Sequence, residues 1–299
     1  MSNFEHLCGW SENEYLTEKI MARSLVPKAS MGMNDIKESG KGKQMMLHKF
    51  VEKLSGKPYY VRTQEIGDCT SFAQAGFCDI IMSIQSILKN TSGSWGGYAA
   101  TEPIYGFGRV EIGNRMFGRG DGCNGASVME GVQKYGILSK KKYNNIDLTN
   151  YSGQRAKDWG WSGVPDELEP IAKEHPIQTI SRVESWEEAR DLLYNGYAVT
   201  LCSNQGFSGT RGKYGISRPQ GSWSHALLLI GYDDTLPNPI GCIMNSWGVW
   251  NTGEKWLDQP DGSFFADAQV IDRMIKAGDS WTGSGFIDYA PQKLDLDWF

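Results

Sequence analysis

The sequence predicts an α+β fold, with helices dominating the first half and strands the second. Three observations carry that prediction. Apolar residues recur at helical spacing through the first half, most strongly from Cys69 to Leu88. After one more amphipathic stretch, Glu184 to Tyr194, they come instead in short strand-like runs: Tyr197 to Leu201, His225 to Tyr232 and Cys242 to Asn245. The chain has 299 residues, 40% hydrophobic and 22% charged, enough for one large domain or two lobes around a well-buried core.

Residues 1 to about 57 read as an N-terminal extension. In it, Ser11-Glu12-Asn13-Glu14 has the form of a capping box, with Leu16 and Ile20 on one face behind it. Asn34 to Lys43 is polar and reads as a linker. Leu47, Phe50, Val51 and Leu54 space a second helix over about 44–54. A turn at Ser55-Gly56-Lys57-Pro58 opens the main domain, 58–299, with a helical lobe over about 64–150 and a β lobe over about 175–290. Thr101-Glu102-Pro103 is a helix start. Gly118 to Gly125 is a Gly-rich loop, and Ser127 to Tyr135 is a short helix stopped by Gly136. The chain carries 36 glycines, which predicts long loops, and 203–224 reads as one of them.

The formal net charge is −5, and the one basic run, Lys140-Lys141-Lys142, reads as a solvated loop, so nucleic acid is not an expected partner. No apolar run is expected to span a bilayer, so no membrane is expected either. The start Met1-Ser2-Asn3-Phe4-Glu5-His6 has neither a basic nor an apolar stretch. A cytoplasmic chain is therefore expected, or a virion component if the source is viral. The six cysteines form no Cys-x-x-Cys pair, so no metal or other cofactor is expected and the thiols are expected to be reduced.

Three residues suggest chemistry. Cys69 stands at the predicted N-terminus of a long helix, directly after Gly67-Asp68, where the helix dipole favours a thiolate. Taken alone it fits a small buried hydrophobe better than a nucleophile. His225, one of four histidines, opens an apolar strand after Ser222-Trp223-Ser224. Asn245 ends the next strand beside Trp247 and Trp250; an amide can accept the imidazole proton and a Trp can shield that bond from water. The spacings are 225 − 69 = 156 and 245 − 225 = 20 residues. A cysteine with a remote His and Asn is a candidate pattern for nucleophilic catalysis.

Gln64-Glu65-Ile66-Gly67-Asp68-Cys69-Thr70-Ser71-Phe72-Ala73 resembles the active-site segment of papain-like cysteine peptidases. Asp121-Gly122-Cys123-Asn124-Gly125-Ala126 resembles their Gly-Cys-Asn-Gly-Gly loop. Ser224-His225-Ala226 resembles their catalytic His strand, and Asn245-Ser246-Trp247-Gly248 their Asn-Ser-Trp-Gly motif. The four blocks come in the family's order over 64 to about 256. The resemblance implies a two-lobed papain-like fold, with an antiparallel β-barrel-like right lobe and a cleft between the lobes. It implies hydrolysis of peptide bonds through a thioester acyl-enzyme. Cys69 would be the nucleophile, His225 its base and acid, Asn245 the orienter and Gln64 the oxyanion-hole side chain. Trp247 would shield the Asn–His pair, and Gly67, Asp68, Gly125, Ala126, Ser224 and Ala226 would line the substrate, a protein or peptide. The implied resting state is a Cys69 thiolate beside a His225 imidazolium.

The chain departs from the family in several places. The Gln-to-Cys spacing, 69 − 64 = 5, is one residue short, and the deletion removes the partner of Cys123, which is therefore expected to be free. A rival alignment makes Cys69 the structural cysteine and puts Phe72 at the nucleophile position. Thr70 replaces a Trp, Ala126 replaces a Gly, and residues 90–120 are longer. Residues 1–57 read as a docking arm or as a propeptide-like cover, and Leu294 to Phe299 as a frayed or docking tail. Two other functions stay open: an interaction protein on the same fold, and a cysteine amidase acting on cell-wall peptides.

Overall fold

A computed structural model describes residues 4–89, 96–175, 177–285 and 289–294. Nine helices are described: α1 (Glu14–Met21), α2 (His48–Ser55), α3 (Cys69–Leu88), α4 (Thr101–Gly106), α5 (Gly125–Tyr135), α6 (Gly153–Ser162), α7 (Glu169–Ala172), α8 (Trp186–Tyr194) and α9 (Ala268–Ile275). The strands are β1 (Gln44–Met46), β2 (Lys142–Tyr143), β3 (Ile146–Asp147), β4 (Thr179–Arg182), β5 (Val199–Arg211), β6 (Ser217–Asp233), β7 (Ile240–Met244), β8 (Thr252–Gly253), β9 (Ser263–Asp267) and β10 (Trp281–Ser284). The class is α+β, as the sequence predicts.

Helix α3 is the spine. It runs from Cys69 to Leu88 without a proline and is buried along almost its whole length. By length and composition it is apolar enough to cross a bilayer, contrary to the expectation that no run is, but 78% of that stretch is buried in the core. Its small residues let the sheet come close. A Cβ added at Gly76 would lie 2.8 Å from Leu228 Cδ2 on β6. That close approach brings the first residue of α3 against the middle of β6.

The main sheet has the order β4-β10-β5-β6-β7-β9, with β1 on the far end of β6 and β8 on β5. Its path pairs are antiparallel, and the described strands form an open sheet with no closed barrel. The stretch 203–224, expected to be a loop, is a strand hairpin turned at 212–216: β5 and β6 pair from Val199↔Leu229 out to Arg211↔Ser217, with three register shifts. Glycines hid it. A Cβ at Gly206 would lie 2.4 Å from the Gln220 carbonyl oxygen, so here a glycine permits close strand crossing instead of a turn.

The N-terminal residues belong to the body. Leu7, Trp10, Leu16 and Ile20 are core residues, and β1 pairs Gln44↔Asp233 to Met46↔Gly231. The polar stretch read as a linker is fastened by Asp191, which accepts the N–H groups of Glu38 (2.6 Å) and Gly40 (3.1 Å). The cap of α1 is Asn13, whose Oδ1 accepts from Leu16 N, because Ser11 is held elsewhere through Cys123. Of the C-terminal tail, 295–299 lie outside the described residues.

A buried ion pair ties the segment leading to the cleft to α3: Arg62 Nη2 donates to Asp79 Oδ2 at 2.6 Å, and Asp79 Oδ1 accepts Ala99 N at 2.8 Å. Arg62→Met leaves that carboxylate buried without its cation. We expect it to lower unfolding free energy by about 3–5 kcal/mol in denaturant titration. The double change Arg62→Met with Asp79→Leu should recover much of that loss, and a single mutant that loses less than about 1 kcal/mol would contradict the assignment.

Candidate active site

Four sequence-separated residues converge where α3 meets the sheet. Cys69 is the first residue of α3, so its sulfur lies at the helix's positive end. Its Sγ accepts a hydrogen bond from Ala226 N at 3.3 Å. His225, one residue earlier on β6, pairs with Ser203 of β5. Its Nε2 lies 2.8 Å from Asn245 Oδ1, which also accepts Ser246 N at 2.7 Å. The other ring nitrogen, Nδ1, is buried without a hydrogen-bond partner among the described residues. Trp247 lies tilted against the imidazole at 4.6 Å between ring centroids, and Trp223 meets it edge-on at 6.3 Å. This pair of rings keeps water from the His–Asn bond.

Gln64 is locked by its own hydrogen bonds. Its Oε1 accepts from Ser246 Oγ at 2.5 Å, and its Nε2 donates to Ile66 O at 2.7 Å. The same Nε2 donates to a second carbonyl, Leu7 O, at 2.8 Å. That contact introduces the N-terminal segment, which the sequence offered as a docking arm or a propeptide-like cover without naming the residues that would reach the site.

The segment from Phe4 to Ser11 lies along the cleft. Phe4 stacks on Trp247 at 4.8 Å and 11°. Next comes Leu7 with its carbonyl on Gln64. Gly9 then crosses Gly67 so closely that an added Cβ would lie 1.7 Å from Gly67 O. Cys123 N donates to Gly9 O and Ser11 N donates to Cys123 O, both at 2.9 Å. Trp10 N donates to Ser224 O at 2.9 Å, and Ser224 Oγ donates back to Trp10 O at 2.7 Å. Gly67 and Ser224 are thus in contact with this segment.

Gly125 and Ala126 open α5, and their N–H groups are committed to a residue the sequence did not signal. Asp279 accepts Gly125 N at 2.6 Å and Ala126 N at 2.9 Å, plus the indole N–H groups of Trp10 and Trp281, each at 2.7 Å. Asp279 stands between α9 and β10, and nothing in Asp279-Ser280-Trp281 beyond the acid itself marks it. Burial pushes its carboxyl pKa up, and the four donors oppose that shift. Asp68 is buried too. Tyr151 donates to its Oδ2 at 3.0 Å, its Oδ1 has no partner among the described residues, and burial holds its carboxyl well above the usual range.

The electrostatics of the Cys–His pair differ from the implied ion pair. Cys69 is fully buried, and desolvation pushes its thiol up to about 12, although N–H groups of Ala226 and Gly9 favour the thiolate. Desolvation likewise pulls His225 down to about 4, against its bond to Asn245. With the N-terminal segment in the cleft both groups are therefore neutral at pH 7. All six cysteines are free thiols, and Cys123 Sγ lies 3.1 Å from Ser127 Oγ. Among the described residues no cluster of three or more His, Cys, Asp and Glu could hold a metal ion.

Comparison with solved structures identifies the architecture. Xylellain, a cysteine protease from Xylella fastidiosa, superposes with a TM-score of 0.54 at 17% identity, covering 95% of this chain and 93% of that one. The chain has the papain-like fold. The ragweed cysteine protease Amb a 11 in its proform gives 0.54 at 16% identity (95% and 77% covered). Procathepsin L 3 of Tenebrio molitor larval midgut gives 0.52 at 13% (93% and 83%). No family model and no curated protein matches the sequence.

Burial and the raised pKa predict a silent thiol. In the intact chain at pH 8, we expect Cys69 to react with iodoacetamide about a thousandfold more slowly than an ordinary exposed cysteine. Gly9→Val, which forces a side chain into the Gly67 backbone, should remove most of that protection. Peptide mapping of the alkylated protein measures both, and rapid alkylation of native Cys69 would contradict the buried site.

Proposed function

We propose that this chain is a papain-type cysteine peptidase that its own N-terminal segment holds dormant. One observation carries the reading: the N-terminal segment gives its Leu7 carbonyl to the Gln64 amide and its Gly9 N–H to the Cys69 sulfur, which also accepts Ala226 N beside the His225–Asn245 pair. A backbone carbonyl held by an amide N–H, with the same segment against a cysteine that opens a helix, is the arrangement an acyl-transfer site offers a peptide.

With the segment displaced, water and the dipole of α3 favour the ionised pair, and Cys69 Sγ attacks a substrate carbonyl carbon. The developing oxyanion takes hydrogen bonds from Gln64 Nε2 and the Cys69 backbone N–H. His225 Nδ1, the ring nitrogen without a partner, carries the proton to the leaving amine, while Asn245 fixes the ring through Nε2. His225 then takes a proton from water, which hydrolyses the thioester and frees Cys69. A protein or peptide is the substrate.

The buried thiol also supports a second reading, an interaction protein that keeps the fold without turnover. One experiment separates the two. The protein is treated with an epoxide inhibitor of papain-type enzymes, before and after the Gly9→Val change, and assayed on an unstructured protein substrate. The peptidase reading expects one adduct, on Cys69, with hydrolysis that Cys69→Ala abolishes. Gln64→Ala should lower kcat by about 10²–10³-fold with the fold intact. An opened cleft that labels at Cys69 and hydrolyses nothing would favour the interaction protein.

A further inference from the structure

We propose that the cavity built by Arg109, Arg119, Lys157 and Trp161 on the helical lobe is a binding site for a small phosphate-type oxyanion. The proposal goes beyond the peptidase reading and does not rest on it.

The cavity has a volume of about 300 Å³ and lies between the loop before α5 and helix α6. Three cations line it, Arg109, Arg119 and Lys157, against one acid, Asp121, whose Oδ2 accepts Gly67 N at 3.3 Å. The chain as a whole carries a formal charge of −5. Even so, none of the three cations is in an ion pair among the described residues. Arg119 lies over the Trp161 ring at 5.2 Å, and that exposed indole lines the same cavity. Arg109 and Arg119 belong to the stretch 90–120 that is longer in this chain, so the resemblance to papain-like peptidases does not supply them.

Arg109 distinguishes this cavity from a run of surface charge. It is 4% exposed and stands in a π-helical turn, Phe107–Ile112, an arrangement frequent at functional sites. Its Nε donates to Gly160 O at 2.9 Å, its Nη1 to Gly122 O and to the Tyr105 hydroxyl, and its Nη2 to Gly118 O at 2.8 Å. A guanidinium has five N–H groups, so one on Nη2 is left over among the described residues, and none of these acceptors is a carboxylate. Arg62 and Arg190, also buried, are neutralised by Asp79 at 2.6 Å and Asp191 at 3.0 Å. A buried cation without a counter-ion is unfavourable. An oxyanion in the cavity supplies that counter-ion and takes the spare N–H, while the exposed Arg119 and Lys157 add charge from the solvent side. Three cations against one acid leave two positive charges. A phosphate dianion balances them and a monocarboxylate does not.

The test uses the full chain in a buffer free of phosphate and sulfate. Inorganic phosphate and pyrophosphate, titrated by calorimetry at constant ionic strength, are expected to bind saturably at one site and to raise the Tm, and acetate is expected to do neither. Arg109→Gln should weaken binding at least about tenfold. If that variant does not fold, the surface double change Arg119→Gln with Lys157→Gln should have the same effect. Lys141→Gln with Lys142→Gln removes two positive charges elsewhere and should leave the affinity within about twofold. A phosphoserine peptide that binds more tightly than either free ion, with the same dependence on Arg119 and Lys157, would support the site and place the phosphoryl group on a carrier. No saturable binding of any of the three, equal binding of acetate, or equal weakening by the two double changes would overturn the proposal. All of these measurements read binding without turnover, so a failed peptidase reading would show in the hydrolysis assay and not here.

Discussion

Much of the site depends on one buried carboxylate. Asp279 holds four N–H groups from three distant parts of the chain: Trp10 near the N-terminus, Gly125 and Ala126 at the start of α5, and Trp281 on β10. A buried charge is tolerated only when it is thoroughly hydrogen-bonded, and each donor here helps offset the desolvation of the others' shared acceptor. That constraint fixes α5 against the sheet and, through Trp10, fixes the N-terminal segment across the cleft. With Trp10 pinned, Gly9 must pass over Gly67 and the Leu7 carbonyl reaches Gln64.

The papain-like fold and the Cys–His–Asn–Gln set were legible because each carries local chemistry. Cys69 opens a helix whose apolar pattern is unmistakable, and the helix bounds, Cys69–Leu88, match the reading from spacing. His225 and Asn245 stand at the start and end of apolar runs that can only be neighbouring strands, β6 and β7. What could not be read was pairing over distance. Nothing local to Trp10 says that its indole meets an acid 269 residues away. The strand 203–224 was hidden for a different reason: glycines that look like turn formers are there to let two backbones cross. Ser11 illustrates a third limit. It has the right chemistry for a cap, but Cys123 claims its backbone and Asn13 does the capping.

The closed cleft also explains why resemblance alone misstates the resting chemistry. The helix dipole and two N–H groups act on Cys69 as a peptidase requires, yet burial is the larger effect and wins. His225 responds to the same burial in the opposite direction, toward the neutral ring. An ion pair on these two side chains is thus a property of the open cleft, not of the residues themselves. The protonation of the pair is governed by access of water.

The cover and the site it covers are one chain. Phe4 and Trp10 anchor the segment on either side of Cys69, and Glu12, exposed, links it to the body at α1. Tethered in this way, a displaced segment returns at an effective concentration on the order of millimolar, however dilute the protein. A single cut near Glu12 would leave every contact unchanged and alter only that number. The same residues would then act as a detachable ligand whose occupancy falls with dilution, so an intact chain and a nicked one of identical composition would obey different laws of mass action.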